Sequence, residues 1–143
     1  SSSVADLFDI SDVSNIKATP PLTPDTDIFG AEPPHTWCYY FEKADLARQM
    51  QDWETVLQLK AESDSQSFAP DLGAEYLPFI EGYAQSGQWE QAYRLSVAAS
   101  EIGSGPGMSL CKAWQRFAQF QPGEGMLSLT GKASQEFCTA GNP

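Results

Sequence analysis

The sequence predicts an all-α fold of three antiparallel helix pairs, and three observations predict it. The first is an internal repeat. Gln51-Asp52-Trp53-Glu54-Thr55-Val56 returns 36 residues later as Gly87-Gln88-Trp89-Glu90-Gln91-Ala92. A further 36 residues reaches Gly123-Glu124-Gly125-Met126-Leu127-Ser128, a degenerate copy that keeps the turn glycine and the small residue. Fixed self-similarity in this range marks helix-hairpin repeats, because one hairpin cannot bury its apolar face and must stack on another. The second observation is that apolar residues recur at three- and four-residue steps from His35 onward, the stripe of an amphipathic helix. The third is punctuation: Pro70-Asp71-Leu72-Gly73, Gly103-Ser104-Gly105-Pro106-Gly107 and Gln121-Pro122-Gly123 break the chain between stripes.

The elements follow in order. Residues 1–34 hold Pro20, Pro21, Pro24, Pro33 and Pro34, with the acids Asp6, Asp9, Asp12, Asp25, Asp27 and Glu32 against one base, Lys17. Proline-rich acidic sequence resists helix and stays extended. Val4, Leu7, Phe8, Ile10, Val13 and Ile16 are nevertheless too apolar for a purely solvated linker. The expectation is an extended arm lying along a surface, or a tether from a preceding domain. The first helix carries Trp37, Tyr40, Phe41, Ala44, Ala47 and Met50 on its stripe. Asp52 can cap the second, where Trp53, Val56 and Leu57 begin the next stripe. Tyr76, Phe79, Ile80 and Tyr83 mark the third helix, whose Pro78 must sit in the first turn, where a missing N–H costs little. Gly87 closes it. Trp89, Ala92, Tyr93, Ser96 and Ala99 mark the fourth. Leu110, Cys111, Trp114 and Ala118 mark the fifth, and Leu129, Ala133 and Phe137 the sixth. Leu57, Tyr93 and Leu129 share the 36-residue spacing, as do Ala61, Val97 and Ala133, so the second helices of each pair are expected in register. The first helix of the third pair is shifted by about one residue.

Composition bounds the function. With 143 residues and 41% hydrophobic content, the chain can bury one core, residues 35–143, preceded by the arm at 1–34. A net charge of −11 argues against nucleic acid, whose phosphates need a basic footprint, and against an anionic membrane surface. No apolar run approaches the roughly 18 residues of a spanning helix, and no signal-peptide pattern is present. The chain opens Ser1-Ser2-Ser3 without methionine, which reads as an excised domain or a processed product. Cys38, Cys111 and Cys138 lack any C-x-x-C spacing, and the favoured reading is three buried small hydrophobes. Cys111 and Cys138 fall on the two helices of the third pair, where a disulfide is open to them.

A small residue in the first helix, a Gly-x-Trp turn, then alanine in the second helix resembles the tetratricopeptide repeat over residues 37–138. The period here is 36 rather than 34 and the first-helix Trp-x-x-Leu-Gly motif is missing, so the chain is TPR-like. The resemblance implies a short right-handed superhelix whose groove takes a peptide or partner protein, with no catalysis of its own. A second resemblance attaches to residues 28–48, from Ile28-Phe29-Gly30 through Trp37-Cys38-Tyr39-Tyr40-Phe41 to Arg48, together with Phe79-Ile80-Glu81-Gly82-Tyr83-Ala84. It is similar to the soluble carboxy-terminal region of bacterial multi-pass membrane proteins related to glycosyltransferases. That resemblance implies an appended accessory domain, tethered to a bacterial membrane through its parent chain, with the sugar chemistry in a membrane portion upstream.

Candidate sites divide by chemistry. His35, the sole histidine, lies three residues from Cys38, but a His at a helix start beside Pro34 more often meets solvent or an aromatic ring than serves in catalysis. Two ligands do not make a metal site, and no phosphate-cradling glycine loop follows a strand. Neither a metal nor a cofactor is expected. Asp45 and Glu81 can face one another as paired carboxylates of a small hydrolase, a remote alternative, since helical carboxylates on so acidic a chain are usually a solvated face. Trp37, Tyr39, Tyr40 and Phe41 form an aromatic cluster that reads as a stacking platform or, more often, as core of the first pair. Positions on the first helices that avoid the buried stripe are Asp45, Arg48, Gln49, Glu81, Gln85, Lys112 and Arg116. Three of the eight basic residues are among them, enough for a local carboxylate or acidic-peptide site. The leading expectation is therefore a monomeric, non-catalytic domain that binds a protein or peptide through this groove. The alternative is a soluble accessory domain that packs against the rest of its own parent chain.

Overall fold

The computed structural model describes residues 25–103, 107–119 and 124–139. Among them are seven α-helices and no strand, so the fold is all-α. The chain divides into two units, Ser1–Pro33 and Pro34–Pro143. In the first, α1 (Thr26–Phe29) is a single turn in a segment expected to be extended. Asp25 Oδ1 caps it by accepting the Asp27 N–H at 2.9 Å, and Gly30, at φ 77°, ends it. The arm's apolar residues from Val4 to Ile16 lie outside the described residues, as do Ser104–Pro106 and Gln121–Gly123.

The second unit contains α2 (Trp37–Gln49), α3 (Trp53–Ser65), a 3₁₀ turn (Gly73–Tyr76), α4 (Leu77–Gln85), α5 (Trp89–Ser100), α6 (Gly107–Phe117) and α7 (Glu124–Thr139). Asp52 caps α3, its carboxylate accepting the Thr55 hydroxyl at 2.7 Å and the Thr55 N–H at 3.1 Å. These two bonds hold the Asp52 carboxyl below the usual range, because they favour its charged form. Pro78 stands in the first turn of α4 as expected. Gly107, read as loop, is instead the first residue of α6.

One turn geometry recurs at a 36-residue offset. After α2, the N–H groups of Met50, Gln51 and Asp52 donate to Leu46, Arg48 and Ala47 at 3.1, 3.0 and 2.9 Å. After α4, those of Ser86, Gly87 and Gln88 donate to Gly82, Ala84 and Tyr83 at 3.1, 3.0 and 2.8 Å. Each turn passes through the left-handed region, at Gln51 (φ 59°) and Gly87 (φ 74°). After α6 the first two of these bonds recur at Ala118 to Trp114 and Gln119 to Arg116, both 3.0 Å. That places the end of α6 a full four residues before the 36-residue position, where the sequence suggested a shift of about one.

Burial corrects the register expected for the third pair. Val56, Lys60 and Ser63 of α3 are buried, as are Ala92, Ser96 and Ala99 of α5, 36 residues on. In α7 the buried residues are Met126, Thr130 and Ala133, 34 residues beyond their counterparts in α5. Leu57 and Tyr93, like Ala61 and Val97, therefore hold the 36-residue offset of the buried positions, whereas Leu129 and Ala133 stand two residues out of it. Two residues amount to about 200° around a helix, so the Met126, Ala133 and Phe137 stripe sets the phase and the tryptophan count does not. Two further stripe assignments fail. Met50 is 60% exposed because α2 has already ended, and Ala118 is exposed past the end of α6, where buried Phe117 takes its place.

The packing follows. Helix α2 packs on α3 and α4, α4 on α3, α5 and α6, and α7 on α5 and α6. Gly82 makes the α3–α4 approach feasible, since a Cβ there would stand 2.6 Å from Val56 Cγ1. One core gathers Trp37, Ala44, Val56 and Phe79; the other gathers Ile80, Tyr93, Trp114, Phe117 and Phe137. The buried hydroxyls are satisfied. Ser96 Oγ donates to the Ala92 carbonyl at 2.8 Å and accepts Trp114 Nε1 at 3.0 Å, while Thr130 Oγ1 donates to the Met126 carbonyl at 2.7 Å. Cys111 and Cys138 form a disulfide between α6 and α7, and Cys38 is an exposed thiol, so the reading of three buried thiols is overturned.

Candidate functional site

The candidate site is a cleft of about 380 Å³ along α2, α4 and α6. Helical spacing delivers its lining. Helix α2 contributes Phe41, Asp45 and Arg48, four and then three residues apart on one face. Helix α4 contributes Leu77, Pro78 and Glu81, with Ala74 from the preceding 3₁₀ turn. From α6 come Ser109, Lys112, Ala113 and Arg116, again one face at one-turn steps. The cleft thus has an apolar part and a charged part. Five of the seven groove residues expected from sequence line it: Asp45, Arg48, Glu81, Lys112 and Arg116. Gln49 and Gln85 do not. Gln49 donates to Asp45 Oδ2 at 2.9 Å from beside the cleft, and Gln85 is exposed at the end of α4.

The charges are arranged around Glu81. Arg48 Nε donates to Asp45 Oδ1 at 2.9 Å, Nη2 pairs with the same oxygen at 2.9 Å, and Nη1 reaches Glu81 Oε2 at 3.4 Å. Arg116 Nη2 approaches the same Glu81 oxygen at 4.0 Å. Lys112 lines the cleft and makes no ion pair among the described residues. Three cations against two carboxylates leave a local excess of one positive charge on a chain whose net charge is −11. Each exposed pair contributes little to stability, about 0–1 kcal/mol. Their interest lies in the sign of the field.

The other candidates separate. Asp45 and Glu81 both accept from the Arg48 guanidinium, which joins the two carboxylates in one charge network. The aromatic cluster is not one platform. Trp37 and Tyr40 are buried, Trp37 packing edge-on to Tyr76 and donating from Nε1 to Glu75 at 2.6 Å. Tyr39 stacks on His35 with ring centroids 3.5 Å apart, and Phe41, expected in the core, is half-buried and lines the cleft. Cys38 is an exposed thiol, and one face of the His35 ring is covered by Tyr39. Buried Lys60 lines a separate cavity of about 250 Å³ with Tyr83 and Arg94, but its ammonium is held by both Asp64 oxygens at 2.6 Å. Burial pushes the phenols of Tyr76 and Tyr83 up, with the Asp64 charge adding to the effect.

Sequence reasoning missed Ser109 and the apolar floor at Ala74, Leu77 and Pro78. The signal for Ser109 was available, since it lies one turn before Lys112. The floor was not legible, because an apolar residue at the start of α4 reads as core until its neighbours are placed. Among the described residues there is no group of three or more metal-ligating side chains, and no helix long and apolar enough to cross a membrane. Compared with known proteins, the chain matches no family model, no curated protein and no solved structure.

Proposed function

We propose that residues 35–143 form three TPR-like hairpins stacked as a short superhelix, and that they act as a non-catalytic interaction domain. Its cleft along α2, α4 and α6 takes a peptide or a segment of a partner protein. The hairpin reading draws support from the turn that recurs after α2 and α4, from the matched burial along α3, α5 and α7, and from the glycine at the α3–α4 approach. The observation that carries the functional reading is the gathering of Asp45, Arg48, Glu81, Lys112 and Arg116, from three separate helices, onto one cleft with an excess of positive charge. Long-range charge of this kind steers an oppositely charged segment and fixes its register more than it holds the fold together.

The test is an array of random-sequence peptides probed with the full chain and with its Arg48→Ala/Arg116→Ala variant. The expected result is a set of peptides bound by the parent chain and weakened about tenfold or more in the variant, with the melting temperature held, because exposed ion pairs contribute only about 0–1 kcal/mol each. Equal binding by both chains contradicts the reading. So does a variant that loses stability without losing peptides. If no peptide depends on the cleft, a free partner is ruled against and the face is left to the chain's own parent protein.

A further inference from the structure

Resting on that reading, we infer that Glu81 is an internal stand-in for the partner, occupying the seat of an acidic side chain on the bound segment. Its carboxylate sits between two guanidinium groups and is held tightly by neither. Oε2 lies 3.4 Å from Arg48 and 4.0 Å from Arg116, whereas a charge-assisted N–H···O bond is normally about 2.7–2.9 Å. Arg48 is already committed elsewhere, with two nitrogens on Asp45 at 2.9 Å. Arg116 has the 4.0 Å contact as its one ion pair among the described residues, and its side chain is 59% exposed against 18% for Glu81. Glu81 therefore lies deeper than the cation it partly serves, and Arg116 is open to an incoming carboxylate.

The charge balance says how many carboxylates the cleft seeks. Asp45 offsets Arg48, and Glu81 offsets one charge of the pair Lys112 and Arg116. One positive charge is left over, which matches a single acidic side chain. Ser109, Lys112 and Arg116 set a hydroxyl, an ammonium and a guanidinium at one-turn steps along α6, all able to donate to it. Phe41, Leu77 and Pro78 supply the apolar floor beside them, so the acidic residue should be flanked by an apolar one. The occupant is thus an acidic side chain beside an apolar side chain on a peptide segment. Because Glu81 competes for the same donors, removing its charge should strengthen binding, where a purely structural cleft residue would weaken it.

The experiment takes the peptides whose binding depends on Arg48 and Arg116, synthesised with both ends capped, and measures their affinity for the full chain by fluorescence anisotropy. Each is paired with a version carrying Asn or Gln for Asp or Glu, and with an uncapped Asn/Gln version that offers only a terminal carboxylate. The expected result is that the amide version binds the parent chain about tenfold more weakly, and that a terminal carboxylate does not restore it. Glu81→Gln should bind the acidic peptide about three- to tenfold more tightly and Lys112→Gln about threefold or more weakly, both losing affinity at higher salt, since the contacts are charge-assisted. Acidic and amide peptides binding alike, or an uncapped terminus substituting fully, overturns the inference while the cleft reading stands. Weaker binding by a Glu81→Gln chain that keeps its melting temperature overturns it too. If Glu81→Gln loses stability, the exposed Lys112→Gln variant and the amide peptides decide the matter. Finding no cleft-dependent peptide at all fails the underlying reading instead.

Discussion

Gly82 shows how much of this protein rests on a single missing atom. Helix α4 crosses α3 where a Cβ would stand 2.6 Å from Val56 Cγ1, and Val56 is fully buried. That methyl cannot swing away, because a β-branched residue in a helix has one preferred χ1. Gly82→Ala should therefore destabilise the fold by about 1–3 kcal/mol, despite alanine's better helix propensity. Denaturant unfolding checks it, and an unchanged or raised midpoint would mean that the two helices can part without cost. At this scale the sequence was partly readable. The small residue in the first helix of a pair was visible as a pattern, yet its contact was not, because Val56 lies 26 positions away. The aromatic run from Trp37 to Phe41 misled in the other direction. Neighbours in sequence point around a helix, so burial, a histidine stack and the cleft divide them.

Turns decide the elements. The turns after α2 and α4 share their hydrogen bonds but not their left-handed residue, which is glycine at 87 and glutamine at 51. A residue with a Cβ is strained there by about 1 kcal/mol, and glycine is not. Gln51→Gly should accordingly stabilise the chain by about 0.5–1 kcal/mol, while Gly87→Ala should destabilise it by about 1 kcal/mol or slightly more. The pair of opposite shifts in denaturation midpoint is the check, and shifts of the same sign would contradict the equivalence of the two turns. Gly87 was legible as a helix stop because glycine advertises the conformation, whereas Gln51 was not. The third expected pair, α6 and α7, was the least legible. Its helices keep the apolar stripe but depart from the 36-residue spacing by four residues at the end of α6 and by two along α7. Spacing alone follows chain length, whereas burial follows the face a helix turns inward.

At the scale of the molecule, the Cys111–Cys138 disulfide closes a separation of 27 residues and ties α6 to α7. Cross-linking a loop of that length is worth about 2–4 kcal/mol through the unfolded chain. The Cys111→Ser/Cys138→Ser variant should lose about that much, and a thiol reductant should have the same effect on the parent chain but none on the variant; unchanged unfolding in both would show that the bond does not form. The pairing was open in the sequence but not decided by it, since only the phase of α7 brings position 138 to position 111. The all-α class and most of the charged cleft were legible, because both follow from which residues share a helical face. The distribution of charge within the cleft was not, because it depends on distances between helices that no spacing encodes.

On the proposed function, a partner segment binds along the face shared by α2, α4 and α6. Mapping amide chemical shifts of the ¹⁵N-labelled chain during titration with a cleft-dependent acidic peptide tests it most directly. Shifts should concentrate at Asp45, Arg48, Glu81, Ser109, Lys112 and Arg116, with α3 and α5 little moved. Shifts centred on α3, α5 or α7, with those six positions still, would contradict it.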